Sequence, residues 1–115
     1  VRVEKLVLSE SQKGYPILIS SLGSPGDLIH KVPDVGNVSD TLHLWVYDYS
    51  AMAGTLEVEL GSVAATYKVA SVGSSPIRIL EGCMLDGGTE LRAYDPTGAG
   101  ALFYVYGYVL RLYKD

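Results

Sequence analysis

Residues 101–113 read ALFYVYGYVLRLY, and this stretch decides the fold. It holds one charge, Arg111, and is built mostly from β-branched and aromatic residues, which suit a pleated, half-buried surface. Successive side chains of a strand point to opposite faces. One face then carries Leu102, Tyr104, Tyr106, Tyr108, Leu110 and Leu112; the other carries Ala101, Phe103, Val105, Gly107, Val109, Arg111 and Tyr113. Both faces are largely apolar, whereas a strand with one wet face alternates apolar with polar. The pattern predicts a strand in the interior of a sheet, or one whose second face is covered by another chain. At roughly 3.3 Å per residue it would run about 40 Å. Gly107, in its middle, is expected at a bend or bulge.

Outward from this stretch, the chain breaks into short apolar runs separated by Gly, Pro, Ser and Asp, with no amphipathic helical period. Strands are expected over 2–9, 15–20, 27–32, 40–49, 55–60, 63–70, 77–80 and 89–94, with Met84-Leu85 extending the one that starts at Ile77. The second long strand is 40–49. It sends Leu42, Leu44 and Val46 to a core face and His43, Trp45, Tyr47 and Tyr49 to an aromatic one. Over 55–60, Leu56, Val58 and Leu60 alternate with Glu57 and Glu59, which predicts a half-exposed strand with a solvated acidic face. Asp86-Gly87-Gly88 reads as a hairpin turn. Eight to ten short strands at turn spacings of roughly 8–12 residues predict an all-β, antiparallel β-sandwich or jelly-roll-like fold. No linker interrupts the pattern, so 1–115 is read as one domain, with 1–10 either its first strand or an N-terminal arm.

A chain of 115 residues can bury a core without covalent staples. The net charge is −4 and no run of Lys or Arg appears, which argues against nucleic acid or an anionic membrane as partner. Cys83 stands alone, so neither an intrachain disulfide nor a cysteine zinc cluster is expected. No segment approaches the roughly eighteen apolar residues of a membrane-spanning helix.

The two histidines, His30 and His43, have no third ligand at a metal-binding spacing and are read as structural. Cys83, between Gly82 and Met84, is read as a small buried apolar residue rather than a nucleophile. Asp86-Gly87-Gly88 lacks the further acids of a calcium loop. No catalytic residue, metal or cofactor is assigned, and the chain is expected not to be an enzyme. The aromatic residues carry the functional signal. Trp45, Tyr47, Tyr49, Tyr104, Tyr106 and Tyr108 crowd the two longest strands. Such side chains suit a surface that is apolar at one end and wet at the other, and they recur at interfaces. These six are the candidate oligomer or partner interface. Two other readings stand beside it: the rings fill the sandwich core, or they form a platform for sugars with Trp45 foremost.

Three stretches resemble a family of small virion proteins of tailed bacteriophages. Gly26-Asp27-Leu28-Ile29-His30 resembles its G-x-L-I-H segment. The stretch 40–48 resembles a strand of the form D-x-[VL]-x-L-[YW]-[AV]-V-N, departing from it at Asp48, where the pattern has Asn. The stretch 91–112 ends in Gly107-Tyr108-Val109-Leu110-Arg111-Leu112, which matches a closing G-[YF]-V-x-R-[IL]; the tail from Tyr113 to Asp115 is extra. The resemblance implies a β-sandwich structural protein on the capsid surface of a virion, decorating or cementing the shell. Its implied partners are further copies of itself, as a homotrimer, and the major capsid protein. The alternative implied by the same lineage is a receptor- or carbohydrate-binding module of a tail or fibre.

Overall fold

The computed structural model describes residues 1–51, 53–61, 66–98 and 100–114. Among them run nine strands: β1 (Arg2–Val7), β2 (Ile17–Leu18), β3 (Asp27–Lys31), β4 (Val38–Asp48), β5 (Gly54–Leu60), β6 (Thr66–Val72), β7 (Ile77–Asp86), β8 (Glu90–Tyr94) and β9 (Phe103–Tyr113). Their pairing is that of a long antiparallel hairpin rolled up on itself. β5 pairs β6 at the tip, then β4 pairs β7, β3 pairs β8, and β1 pairs β9. Rolling adds two antiparallel seams, β4 with β9 and β5 with β8. The result is one sheet in the order β1-β9-β4-β7 and another in the order β3-β8-β5-β6. That is the strand order of a jelly roll. The two-residue β2 pairs with β9 beyond the end of β1.

β9 lies inside its sheet, between β1 and β4, as its two apolar faces required. β4 pairs with it without a register shift from Val38↔Tyr113 to Asp48↔Phe103. Their inward faces carry Leu42, Leu44, Val46, Phe103, Val105 and Val109, all fully buried. Opposite them stand Leu56 and Val58 of β5 and Leu91 and Ala93 of β8, closed off by Leu8, Ile29 and Val32. Each such side chain contributes on the order of 1.5–3 kcal/mol through burial. Gly107 sits within this paired seam. A Cβ there would lie 2.0 Å from the His43 carbonyl oxygen, and its φ of +152° disfavours any side chain. The expected bulge is absent; the glycine instead lets two strands approach closely while the register runs on.

Other expectations hold in whole or in part. Residues 2–7 form the expected first strand, at the edge of the sheet, and Leu8 behind them is fully buried. Of 15–20, only Ile17 and Leu18 pair. The strand starting at Ile77 continues to Asp86, carried past Gly82 at φ +73° with two register shifts against β4. The strand expected over 63–70 is described as β6 from Thr66; its first three residues lie outside the described set. Asp86-Gly87-Gly88 is not a hairpin, because β7 and β8 belong to different sheets. It is a crossing turn seated on the 33–35 loop: the Gly88 N–H donates to the Val32 carbonyl at 3.1 Å, and a Cβ on Gly87 would lie 2.4 Å from the Val35 carbonyl oxygen.

The acidic face of β5 is also not solvated. Glu57 and Glu59 do point away from the core, but both are buried. The 20–26 loop folds over that side of the sheet, and Glu59 accepts from the Ser24 hydroxyl at 2.6 Å and the Gly26 N–H at 2.7 Å. Alternation gave the direction of these side chains correctly and could not see the loop above them.

Gly107→Ala should destabilise the fold by roughly 1–3 kcal/mol or more, since two backbones would have to part to admit one methyl. Urea unfolding with an unchanged slope and a lowered midpoint is the expected readout.

Candidate interaction face and the buried charge network

Trp45 and Tyr47 on β4, and Tyr49 just past its end, alternate on the side facing away from the core, and Tyr104, Tyr106 and Tyr108 do the same along β9. The unbroken register sets them opposite one another: His43 with Tyr108, Trp45 with Tyr106, Tyr47 with Tyr104. The fold thus brings all six sequence-selected residues onto one sheet face and none into the core. His43, which the alternation of 40–49 also set on this face, joins them.

The paired rings stack. Centroid separations are 4.9 Å for His43–Tyr108, 5.8 Å for Trp45–Tyr106 and 5.5 Å for Tyr47–Tyr104, with interplanar angles of 15–17°. These separations follow the inter-strand spacing of about 4.8 Å, so the rings stand upright and press face to face. Cations close the ends of the rows. Lys5 Nζ on β1 lies 4.4 Å from the Tyr108 centroid, and the Arg78 guanidinium on β7 lies 5.5 Å from that of Trp45. Both are within cation–π range. Tyr49 makes an edge contact with Tyr104 and is otherwise exposed, at 73 %.

Around the ladder the same face carries Val3 and Val7 on β1, Leu18 on β2, Leu102 just before β9 and Met84 on β7, all exposed. The outward face of the other sheet differs. It presents Glu57, Glu59, Arg92, Tyr94 and Lys68, joined by ion pairs such as Arg92–Glu90 at 3.2 Å and Lys68–Glu57 at 3.8 Å. Among the described residues the stacked rings stand on one side of the sandwich.

At one end of the core lies a charge network that sequence inspection did not single out. Asp40 and Arg111 are cross-strand partners on the inward faces of β4 and β9, and His30 reaches them from β3 in the opposite sheet. Asp40 is fully buried. It accepts from Arg111 Nε at 2.9 Å and from a terminal guanidinium nitrogen at 3.0 Å, and it contacts His30 Nε2 at 2.6 Å. The other imidazole nitrogen, Nδ1, accepts from the Ser9 backbone N–H at 2.9 Å, so Nε2 carries the proton and donates to Asp40. Burial pushes the His30 pKa below its ordinary value, against the pull of the Asp40 carboxylate. Burial alone would raise Asp40, but the Arg111 and His30 hydrogen bonds outweigh it and hold the carboxyl below its usual range. The Asp40 hydrogen bond raises Arg111 further. The one available clue was the lone charge in an apolar strand, Arg111, which needs a buried partner.

The order Ser9–His30–Asp40 superficially suggests a nucleophilic triad. The geometry does not make one. His30 is bonded to the backbone of Ser9, and the Ser9 hydroxyl accepts from the Lys31 N–H at 2.9 Å. The network instead ties β1, β3, β4 and β9 together across both sheets. Cys83 is half-buried, and burial raises its thiol pKa, which keeps it protonated and unreactive. Among the described residues no group of three His, Cys, Asp or Glu side chains is placed to hold a metal ion.

No protein-family model, curated protein or solved structure matches the chain in comparison.

The network makes stability fall on acidification. His30 is neutral when folded, whereas the unfolded chain takes up a proton below about 6.5, so the unfolded state binds more protons and gains as pH drops. The loss starts below about pH 6.5, with about 1.4 kcal/mol per pH unit as the ceiling for one proton; Asp40 adds its own loss below 3.8. Thermal melts between about pH 7 and pH 5 should show this slope in the wild type and lose it in His30→Gln, which starts lower at neutral pH.

Proposed function

We propose that this chain is a non-enzymatic virion structural protein of the cement kind, a homotrimer on the capsid surface that grips the major capsid protein. The observation that carries the reading is the aromatic ladder, a one-sided sheet face of stacked rings fringed by exposed Val3, Val7, Leu18, Met84 and Leu102. Contiguous exposed apolar surface of this kind marks interaction sites. The buried ionisable groups support a non-enzymatic role, since His30, Asp40, Arg111 and Glu59 are held by partners within the fold. Jelly rolls serve viral capsids, lectins and cupins alike, so the fold fits the virion reading without selecting it. The selection rests on the ladder and on the sequence resemblance. Bound to several shell subunits at once, an oligomer gains avidity beyond any one contact.

The carbohydrate-binding alternative needs an open ring face on which a sugar can lie. Trp45, the foremost residue for that role, has Tyr106 on one face and Arg78 over the ring. Tyr108 is similarly flanked by His43 and Lys5. What Trp45 and Tyr108 offer a partner is ring edges, which suits a protein surface better than a sugar.

Tyr106→Ala should weaken self-association by about thirtyfold or more, the size of a central interface residue's contribution. The exposed β3 residue Lys31, changed to Ala, should leave it within about twofold. Glu57 is buried and would be a poor control. Native mass spectrometry across a dilution series reads the difference; equal behaviour of the two variants contradicts the assignment of the face.

A further inference from the structure

We infer that the ladder is covered by further copies of this chain, arranged about an axis parallel to the strands, so that the β1 edge of one copy lies against the β7 edge of the next. This rests on the oligomer proposed above and goes beyond it by naming which edges meet and which charges join them.

Three observations carry it. The first is charge. The two edges of the sheet have opposite sign: β1 brings Arg2, Glu4 and Lys5, and β7 brings Arg78, Glu81 and Asp86. Arg2 is engaged with Glu4, and Arg78 with Glu81 at 2.7 Å, which leaves Lys5 as the spare cation of one edge and Asp86 as the spare anion of the other. Lys5 and Glu81 occupy neighbouring rows, since Lys5 pairs with Leu110 beside Thr41 and Met84, while the adjoining row runs Tyr108, His43, Glu81. Rotation about an axis parallel to the strands keeps each row at its own height, so Lys5 of one copy comes level with Met84 of the next, one row from Glu81 on one side and one row from Asp86 on the other. An axis across the strands would instead set β1 on β1 and oppose like charges.

The second is direction. Every pairing in the sheet is antiparallel, so β1 and β7, at its two ends, run in opposite senses. Such an axis preserves each sense, and neighbouring edges therefore meet antiparallel, the more stable arrangement.

The third is shape and extent. The rings stand on the two central strands, β9 and β4, and neither β1 nor β7 carries one on this face. Four strands at about 4.8 Å give a face about 19 Å wide, and three such faces around an axis leave about 5–6 Å from sheet to axis. That space matches the reach of a tyrosine. Eleven-residue central strands make the face about 36 Å long at roughly 3.3 Å per residue, on the order of 700 Å² per copy. Split between two neighbours, each contact is small beside the roughly 800 Å² per partner of a standard interface, so the assembly depends on the ring closing on all three copies.

The test is a charge-reversal cycle read by sedimentation equilibrium at low salt. Lys5→Glu and Asp86→Lys should each weaken self-association at least tenfold, and the double variant should recover to within about threefold of wild type. Within one chain the two residues sit at opposite edges, three strand spacings or about 14 Å apart, too far to couple directly. Recovery therefore reports contact between copies. An oligomer in which the two changes simply add overturns the edge contact and leaves the proposed function standing. A chain that stays monomeric at about 100 µM overturns both. Recovery in a dimer would uphold the edge contact and overturn the trimer.

Discussion

The pairing of β4 with β9 is the interaction on which the rest of this structure depends. Eleven residues of each strand run in register. Their inward sides supply six of the fully buried core residues, and their outward sides supply the whole aromatic ladder. This register sets ring beside ring, and cross-strand aromatic pairs are stabilising in their own right. A slip by one residue would turn the rings inward and the leucines and valines outward. Gly107 guards against that, because its bare Cα allows the close approach that fixes where the strands sit.

The charge network does related work at the end of the sandwich. A buried arginine–aspartate pair is not a strong source of stability, given the cost of taking both groups from water. Its effect is positional. Asp40 has hydrogen-bond partners on β3 and β9 and lies itself on β4, while His30 fixes the chain just past β1. Sliding any of these strands would leave a buried charge without its partner, a far larger penalty than the pair's own contribution. The network thereby holds β4 and β9 in the register that builds the ladder.

Much of this was legible in the sequence, for a plain reason. The period of two in 40–49 and 101–113 states directly which side chains share a face, and the six aromatic residues followed from it. The all-β class followed from short runs and turn residues. What was not legible depends on elements distant in sequence. Glu57 and Glu59 alternate as a wet face should, but the 20–26 loop that caps Glu59 lies over thirty residues earlier in the chain. Asp86-Gly87-Gly88 has hairpin chemistry, yet whether the next strand returns to the same sheet is settled by the roll of the whole chain. The His30–Asp40–Arg111 network joins three strands with no spacing rule between them. Alternation also left open whether the rings would face core or solvent; the volume of Phe103, Leu42, Leu44 and their neighbours fills the interior and leaves them outside.

The central claim is that this ladder is covered in the working assembly, and the single tryptophan stands in the middle of it. The most direct measurement is Trp45 emission and acrylamide quenching followed over a dilution series. The account predicts blue-shifted, shielded emission at high concentration that moves to red-shifted, readily quenched emission as the copies separate. Emission and quenching that stay constant from the concentrated to the dilute end, with Trp45 open to quencher throughout, would contradict it.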